Sequence, residues 1–238
     1  MSSRTRLVVL VAVVLAALLC IRLGLWQLER LRERRETSRA ATAARALPEL
    51  DVARAGKAPL ADRRVTARGE YDRAGEIVLR GQVYRESPGV QVVTPLRLEG
   101  RDEAVLVVRG FVPAPDAVSA DLAALEETGP VTVRGIAMPL VEREDDGAPV
   151  DHGSVTTWRG LDRSAVEARF DYPLLDIYII QTPDSALPRS PRRMPPPTLD
   201  DGPHLSYAIQ WFAFATIALV GGAILLRRPG SASRGPLP

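Results

Sequence analysis

The chain has 238 residues, and its 31 basic and 29 acidic residues give a net charge of +2. This length suits one soluble domain with two membrane spans better than two soluble domains. Because the charges nearly balance, no overall field points to nucleic acid as a partner. Cys20 is the single cysteine, which excludes an intramolecular disulfide and a metal site built from cysteines.

The first of two apolar segments lies at residues 7–28. Leu7–Ile21 is uninterrupted and the run resumes through Trp26, giving about 20 residues, or roughly 30 Å of helix, enough to span a bilayer. The alternative is a cleavable signal peptide, because a basic start precedes the run. No small-residue cleavage site follows the run, so we predict an uncleaved anchor.

The second apolar segment lies at residues 204–228, with Tyr207–Leu226 as its apolar core. An even number of spans puts both termini on one side of the membrane. The positive-inside rule favours the cytoplasm for the arginine-bearing tails, residues 1–6 and 229–238. We therefore predict cytoplasmic termini and an extracytoplasmic central domain, with membrane lipid as one partner.

Between the spans, residues 29–60 begin with a charge-rich helix that continues out of the membrane, and Pro48 is a plausible stop. Residues 61–183 carry strand signals separated by turn residues. The predicted strands are Arg64–Tyr71, Glu76–Tyr84, Val90–Leu98, Ala104–Val112, Val131–Met138 and Leu174–Thr182, and the predicted short helices are Asp116–Glu127 and Leu161–Phe170. Residues 184–203 are rich in proline and are predicted to form a semi-rigid linker.

The expected fold class is two transmembrane α-helices flanking a β-rich (α+β) extracytoplasmic domain, built as a small antiparallel barrel or curled sheet with two short helices. Catalytic machinery is not apparent. A nucleophilic triad needs a base beside the nucleophile, and His152 and His204 are the only histidines. The acidic loop Glu142–His152 lacks the ligand spacing of a calcium loop and is interpreted as solvated. We predict that the protein is not an enzyme.

A polar and aromatic motif lies at the predicted outer end of each span. Trp26 and Arg30 are four residues apart and share a helix face. In the second span, His204, Tyr207 and Trp211 fall at i, i+3 and i+7 on one face. An interfacial aromatic belt with a flanking arginine explains either motif taken alone.

Taken together, the motifs permit a second interpretation. His204 would begin a helix, where the macrodipole disfavours the imidazolium and keeps the ring neutral, and a neutral ring nitrogen is what a haem iron requires. With both termini on one side, the motifs meet at one membrane face. A porphyrin site is then geometrically feasible. It would use a histidine, two tryptophans and an arginine, which can donate two hydrogen bonds to one propionate. The alternative is a polar histidine at headgroup level.

At these residues the sequence resembles the surfeit-locus family of cytochrome c oxidase assembly factors. The resemblance runs from about residue 7 to residue 228 in five ordered motifs. They are Gly24-x-Trp26-Gln27-x-x-Arg30, Arg68-Gly69-Glu70-Tyr71, Val93-Thr94-Pro95-Leu96, the run Val105–Pro113 containing Arg109-Gly110-Phe111, and His204-Leu205-Ser206-Tyr207 followed by Gln210-Trp211-Phe212. The resemblance implies a two-span protein of the bacterial inner membrane whose domain faces the periplasm.

The resemblance also implies a role in biogenesis of the haem-copper oxidase, helping haem a reach the catalytic subunit. The catalytic subunit of cytochrome c oxidase and other assembly factors are the expected partners. His204 is the expected ligand of the haem iron. The other expected site residues are Tyr207, Trp211, Trp26, Gln27 and Arg30.

Two alternatives remain open. The first is a scaffold that holds oxidase subunits or assembly factors through the β domain without touching haem, with the edge at Arg109-Gly110-Phe111 as its contact surface. The second is an unrelated anchored extracytoplasmic module.

Overall fold

The computed structural model describes residues 3–56, 58–122, 125, 127–143, 149–152 and 156–227. The predicted tail 229–238 and Arg228 lie outside the described residues, as do residues 1–2 of the first tail and 144–148 of the acidic loop. The described residues divide into two compact units. The helical unit lies within Met1–Arg39 and Leu199–Pro238, and the β unit lies within Ala40–Thr198.

Three α-helices occur in the described residues, α1 at Ser3–Ala46, α2 at Arg163–Glu167 and α3 at His204–Arg227. α1 and α3 are long and apolar enough to cross a membrane. Large apolar side chains of α1 such as Leu7, Val8 and Leu15 are more than 60% exposed (62%, 66% and 61%), which suits a lipid-facing surface. α1 runs on past its apolar segment to Ala46, as predicted, and the two helices fit a two-span membrane protein.

Small residues let α1 and α3 approach closely. Buried small residues recur every seven positions on α3, at Ala208, Ala215 and Gly222. A Cβ atom added at Gly222 would lie 2.6 Å from Cγ1 of Val13, and one added at Gly24 would lie 2.8 Å from the ring of Phe212. Because chain order is opposite in these two contacts, the helices pack antiparallel. Such contacts between small residues are typical of membrane helix pairs, where packing replaces the hydrophobic effect.

We expect Gly222→Ala to loosen this helix pair, because the added methyl group overlaps Val13, at a cost of about 1–3 kcal/mol. Gly221→Ala is the matched control, since a Cβ at Gly221 meets nothing within 4 Å. Thermal unfolding of the full chain in detergent micelles, followed by circular dichroism, measures the difference. Equal midpoints for the two variants would contradict the close approach.

The β unit contains nine strands in its described residues. They are β1 Leu50–Asp51, β2 Arg64–Tyr71, β3 Ile77–Tyr84, β4 Ser87–Leu98, β5 Ala104–Pro113, β6 Val131–Pro139, β7 Val150–Asp151, β8 Thr156–Trp158 and β9 Leu174–Gln181. All six predicted strands are present at nearly the predicted bounds. The additional strands β1, β7 and β8 are only two or three residues long.

Five of these strands close a barrel in the order β2-β6-β9-β5-β4, with a β2–β4 pairing as the closure. β4 permits the closure because it changes neighbours: its first part pairs with β3, and Leu96–Leu98 pair with β2. β3, β8 and β7 extend the sheet outside the barrel. The predicted β-rich barrel between two helices is confirmed. Not every pairing is antiparallel, since β5 and β9 run parallel after the chain crosses over through β6, β8 and α2.

β5 lies at the centre of the core because both of its faces are buried. Val105 and Val107 belong to a cluster with inward-facing residues of β2, β4, β6 and β9. Leu106 and Val108 belong to a second cluster on the outer face, which Trp158 of β8 covers together with α2. A strand buried on both faces appears as a continuous apolar run rather than as an alternation.

A polar plug fills one end of the barrel and consists of Glu76, Arg109, Glu127 and Arg193. Arg109 follows the inward-facing Val105 and Val107 of β5 at the same two-residue spacing and is buried. Its guanidinium donates to Glu76 Oε2 at 3.3 Å and to Glu127 Oε1 at 2.9 Å, and Arg193 Nη2 donates to the same Glu127 oxygen at 2.8 Å. Two carboxylates thus face two guanidinium groups, so the buried charges compensate each other.

Neutral side chains complete the plug. Thr94 Oγ1 donates to Glu76 Oε2 at 2.8 Å, and Gln181 Oε1 accepts from Arg193 Nε at 3.1 Å. The guanidinium of Arg109 lies 4.8 Å from the ring centroid of Tyr71. Burial raises the pKa of the Tyr71 phenol, and the nearby Arg109 opposes that shift.

The proline-rich residues 183–198, here called the strap, are bound to the barrel. Phe111 and Arg192 exchange two backbone hydrogen bonds of 2.8 Å each, and Arg193 is buried in the plug. Gly110 is required at this crossing because a Cβ there would lie 2.4 Å from the carbonyl oxygen of Arg192. The strap covers the edge at Arg109-Gly110-Phe111, and Phe111 is only 2% exposed.

The two predicted short helices differ from the structure. Within the predicted helix Asp116–Glu127, residues 123, 124 and 126 lie outside the described residues, and residues 116–122 are irregular. Ala117 has a φ of 55°, and Asp116 Oδ1 accepts hydrogen bonds from Val118 N and Ser119 N, so a turn replaces the helix. The helix predicted at Leu161–Phe170 is shortened to α2, which the Asp162 carboxylate caps.

Arg193→Ala is expected to destabilise the β unit by about 3–5 kcal/mol, because it leaves a buried carboxylate of the plug without its second cation. Arg189→Ala removes an exposed arginine of the same strap and should change stability by no more than about 0.5 kcal/mol. Chemical denaturation of the two variants in detergent gives the comparison. A similar effect of both substitutions would show that the plug does not anchor the strap.

Candidate functional site

Gln27 of α1 and His204, the first residue of α3, are in contact. Nδ1 of His204 lies 2.9 Å from Oε1 of Gln27. α3 begins where predicted: Tyr207 N donates to the carbonyl oxygen of Pro203 at 3.2 Å, and proline suits the start of a helix because it has no N–H to satisfy. The antiparallel packing of the two helices brings the pair together at the same end as the Gly24 contact.

The contact between Gln27 and His204 distinguishes the two tautomers of a neutral imidazole. An amide oxygen only accepts hydrogen bonds, so in a neutral ring the proton would lie on Nδ1 of His204 and the lone pair on Nε2. An imidazole whose other nitrogen donates to an oxygen is the usual arrangement of a metal-binding histidine, since the hydrogen bond fixes the tautomer and the ring orientation.

The side of His204 that carries Nε2 faces Gly202. A Cβ at Gly202 would lie 3.5 Å from Nε2 and 3.4 Å from Cδ2, so the absence of this atom leaves room beside the nitrogen. Gly202 has a φ of 64°, a conformation that glycine adopts without penalty. Its N–H donates to Asp200 Oδ1 at 3.2 Å, which holds the turn before α3.

Two arginines of α1 bind this turn. Arg34 Nε donates to the carbonyl oxygen of Asp200 at 3.2 Å, and Arg35 Nε donates to Asp201 Oδ2 at 2.9 Å. The sequence predictions included neither arginine. The available signal was spacing, because Gln27, Arg34 and Arg35 stand at i, i+7 and i+8 and share a helix face.

Trp26 and Arg30, the other predicted site residues of α1, contact each other. The guanidinium of Arg30 lies 5.7 Å from the ring centroid of Trp26, and its Nη1 donates to Glu33 Oε2 at 2.8 Å. Trp26 is 44% exposed. The Arg30–Glu33 pair is also exposed, and exposed pairs of this kind exchange partners at little cost.

The predicted aromatic residues of α3 lie along the helix from His204. Tyr207 is 46% exposed, and the ring of Trp211 packs edge-on against Phe214 at 5.9 Å. The structure thus joins His204 directly to Gln27. In the part of the chain that the structure describes, no hydrogen bond or ring contact joins His204 to Trp26, Arg30, Tyr207 or Trp211.

A bare metal ion needs several converging ligands, and a haem iron needs one axial side chain. Within the described residues, no group of three or more histidine, cysteine, aspartate or glutamate side chains is placed to hold a metal ion. His204, with Nδ1 engaged and Nε2 open, fits the second requirement.

The model of the SURF1 family matches residues 14–216, a range that contains Gln27, the whole barrel and His204. The chain belongs to the SURF1 family. The resemblance of its motifs to the surfeit-locus family is therefore confirmed. The SURF1 family is associated with cytochrome c oxidase assembly and is a family of assembly factors rather than a known enzyme class.

A curated SURF1-like protein from Monosiga brevicollis is 32% identical to the chain over 170 residues. The alignment covers 68% of this chain and 62% of the relative. The chain therefore matches less than two thirds of the relative's length.

Proposed function

We propose that this SURF1 family member takes part in cytochrome c oxidase assembly by binding haem a at His204 and aiding its insertion into the catalytic subunit. Its partners would be that subunit, other assembly factors and membrane lipid. The protein would lie in a bacterial inner membrane with both termini in the cytoplasm and the β unit outside. It would act as a carrier and not as an enzyme.

The contact of 2.9 Å between His204 Nδ1 and Gln27 Oε1 is the observation that carries the proposal. In a neutral imidazole this contact would orient the ring and leave the Nε2 lone pair for the iron, which supports His204 as an axial ligand. The antiparallel packing of α1 and α3 supports termini on one side of the membrane, and it puts both members of the pair at one end of the helix pair.

Several residues of the chain would contribute to haem binding in different ways. His204 Nε2 would donate its lone pair, and Gln27 would hold the ring. Tyr207, Trp211 and Trp26 offer aromatic surface to a flat apolar ligand, and Arg30 would exchange Glu33 for a propionate. When bound, the haem would supply the iron that accepts the Nε2 lone pair.

His204→Ala is expected to abolish haem binding, because it removes the nitrogen that would hold the iron. The measurement is the absorbance spectrum of the full chain purified from cells that make haem a. His152→Ala, which removes the other histidine and lies in the β unit, should keep the wild-type spectrum. Haem retained at wild-type occupancy in His204→Ala would refute the ligand assignment.

Gln27 is expected to affect haem affinity and reduction potential through His204 without binding the iron itself. Gln27→Leu removes the acceptor and is expected to weaken haem binding by about 10–100-fold, the usual loss for a residue that orients a metal ligand. Gln27→Glu keeps an acceptor and should bind haem, with a lower reduction potential, because a carboxylate makes the imidazole a stronger donor. Spectroscopic titration and potentiometry test the two variants. Identical potentials for wild type and Gln27→Glu would show that Gln27 does not act through His204.

The second candidate function is a scaffold that recognises oxidase subunits through the β unit. A surface cavity of about 340 Å³ on the barrel favours it, with walls that include Leu79, Val108 and Ile180 and a rim that includes Arg143 and Gln82. Such a mixed surface suits a partner segment. The edge at Arg109-Gly110-Phe111 is less suited to contact a partner, because the strap covers it.

A further inference from the structure

Two successive residues shortly before α3, Asp200 and Asp201, contact α1. Arg34 contacts Asp200 through the carbonyl oxygen at 3.2 Å and through Oδ1 at 3.9 Å, and Arg35 contacts Asp201 at 2.9 Å. We call these two pairs the clasp. The four clasp side chains are 43–68% exposed, so neither pair contributes much to stability. The clasp therefore acts mainly on local geometry.

The clasp and the Gln27 contact use one face of α1. Seven residues separate Gln27 from Arg34, about 10 Å along a helix. Four residue steps lead from Asp200 to His204 through the turn at Gly202. Gln27 thus contacts the imidazole ring of His204, and the clasp contacts the backbone segment that precedes it.

Gly202 lies between the clasp and His204. Its N–H donates to Asp200 Oδ1, so the residue that Arg34 holds also shapes the turn at Gly202. The φ of 64° disfavours any residue with a side chain. A Cβ there would lie 3.5 Å from His204 Nε2, in van der Waals contact with that nitrogen. The turn that the clasp contacts therefore also sets what lies beside Nε2.

We propose that Arg34, Arg35 and Gly202 are positioning residues that hold His204 Nε2 open and aimed for an iron ligand. None of the three touches the iron, and all act through His204. This inference rests on the proposed function, because it assigns Nε2 as the ligand. It adds that haem affinity is set by the segment before α3 as well as by the histidine.

The first measurement needs no haem. Diethyl pyrocarbonate acylates the unprotonated nitrogen of a neutral imidazole, and mass spectrometry of the full chain in detergent reports the rate at His204 relative to His152. In the neutral wild-type ring, a hydrogen bond from Nδ1 to Gln27 would leave Nε2 as the reactive nitrogen of His204. Gly202→Ala should slow acylation of His204, and the double variant Arg34→Gln with Arg35→Gln should change its rate by releasing the ring.

The second measurement is titration of the same proteins with haemin, followed by absorbance. The double clasp variant and Gly202→Ala should each bind about tenfold more weakly than wild type, as expected for the loss of an orienting contact. Reversing the charges with Arg35→Asp and Asp201→Arg together should restore most of the affinity that Arg35→Asp alone removes. Arg32→Gln is the matched control, because among the described residues Arg32 forms its ion pair with Glu29, one turn away on α1.

The outcomes separate the two proposals. Wild-type haemin affinity and wild-type acylation ratios in the clasp variants, with binding lost in His204→Ala, would overturn the positioning inference and leave the proposed function standing. Haemin bound normally by His204→Ala would overturn the proposed function. In that case the acylation ratios alone would test whether the clasp orients the imidazole of His204. Unchanged ratios would reject that inference.

Discussion

The close approach of α1 and α3 is the constraint on which the candidate site depends. In a bilayer, apolar helices gain nothing from leaving water, so their pairing rests on dense packing at small residues. Gly24 against Phe212 and Gly222 against Val13 leave no room for a side chain, which fixes both the rotation and the register of the pair. A change of one residue in register would turn Gln27 about 100° away from His204. The hydrogen bond between them is thus a product of packing further along the helices.

Signals that act over short stretches of sequence predicted much of the protein. The length of each apolar run defined the spans, and alternation with turn residues located six strands, because burial on one face imposes a period of two. Gln27 and His204 were assigned to one site from the motifs, from the topology and from family resemblance. The structure joins them directly, whereas Trp26 and Arg30 contact each other instead.

Features that depend on distant residues were not predictable. The strap was predicted to be part of a semi-rigid linker because prolines indicate extension, and nothing local shows that Arg193 neutralises a glutamate far back in the chain. The sequences of β5 and β9 do not show that these two strands pair in parallel. The predicted helix at 116–127 failed for a related reason, since Val118 and Leu122 have helical spacing but Leu122 packs together with Ala120 on a small cluster with Val78 and Val90. The clasp joins residues 166 positions apart. Hydrophobic periodicity carries no information about contacts between residues so far apart.

The polar plug also imposes an order on synthesis. Glu76, Arg109 and Glu127 all precede Arg193, which follows Glu127 by 66 residues. The barrel cannot close before β9, which ends at Gln181, has been made. Between that point and the synthesis of Arg193, a closed barrel would hold two carboxylates and a single guanidinium, and an unpaired charge opposes closure of an apolar interior. We therefore expect the barrel to reach full stability only after the strap has been made.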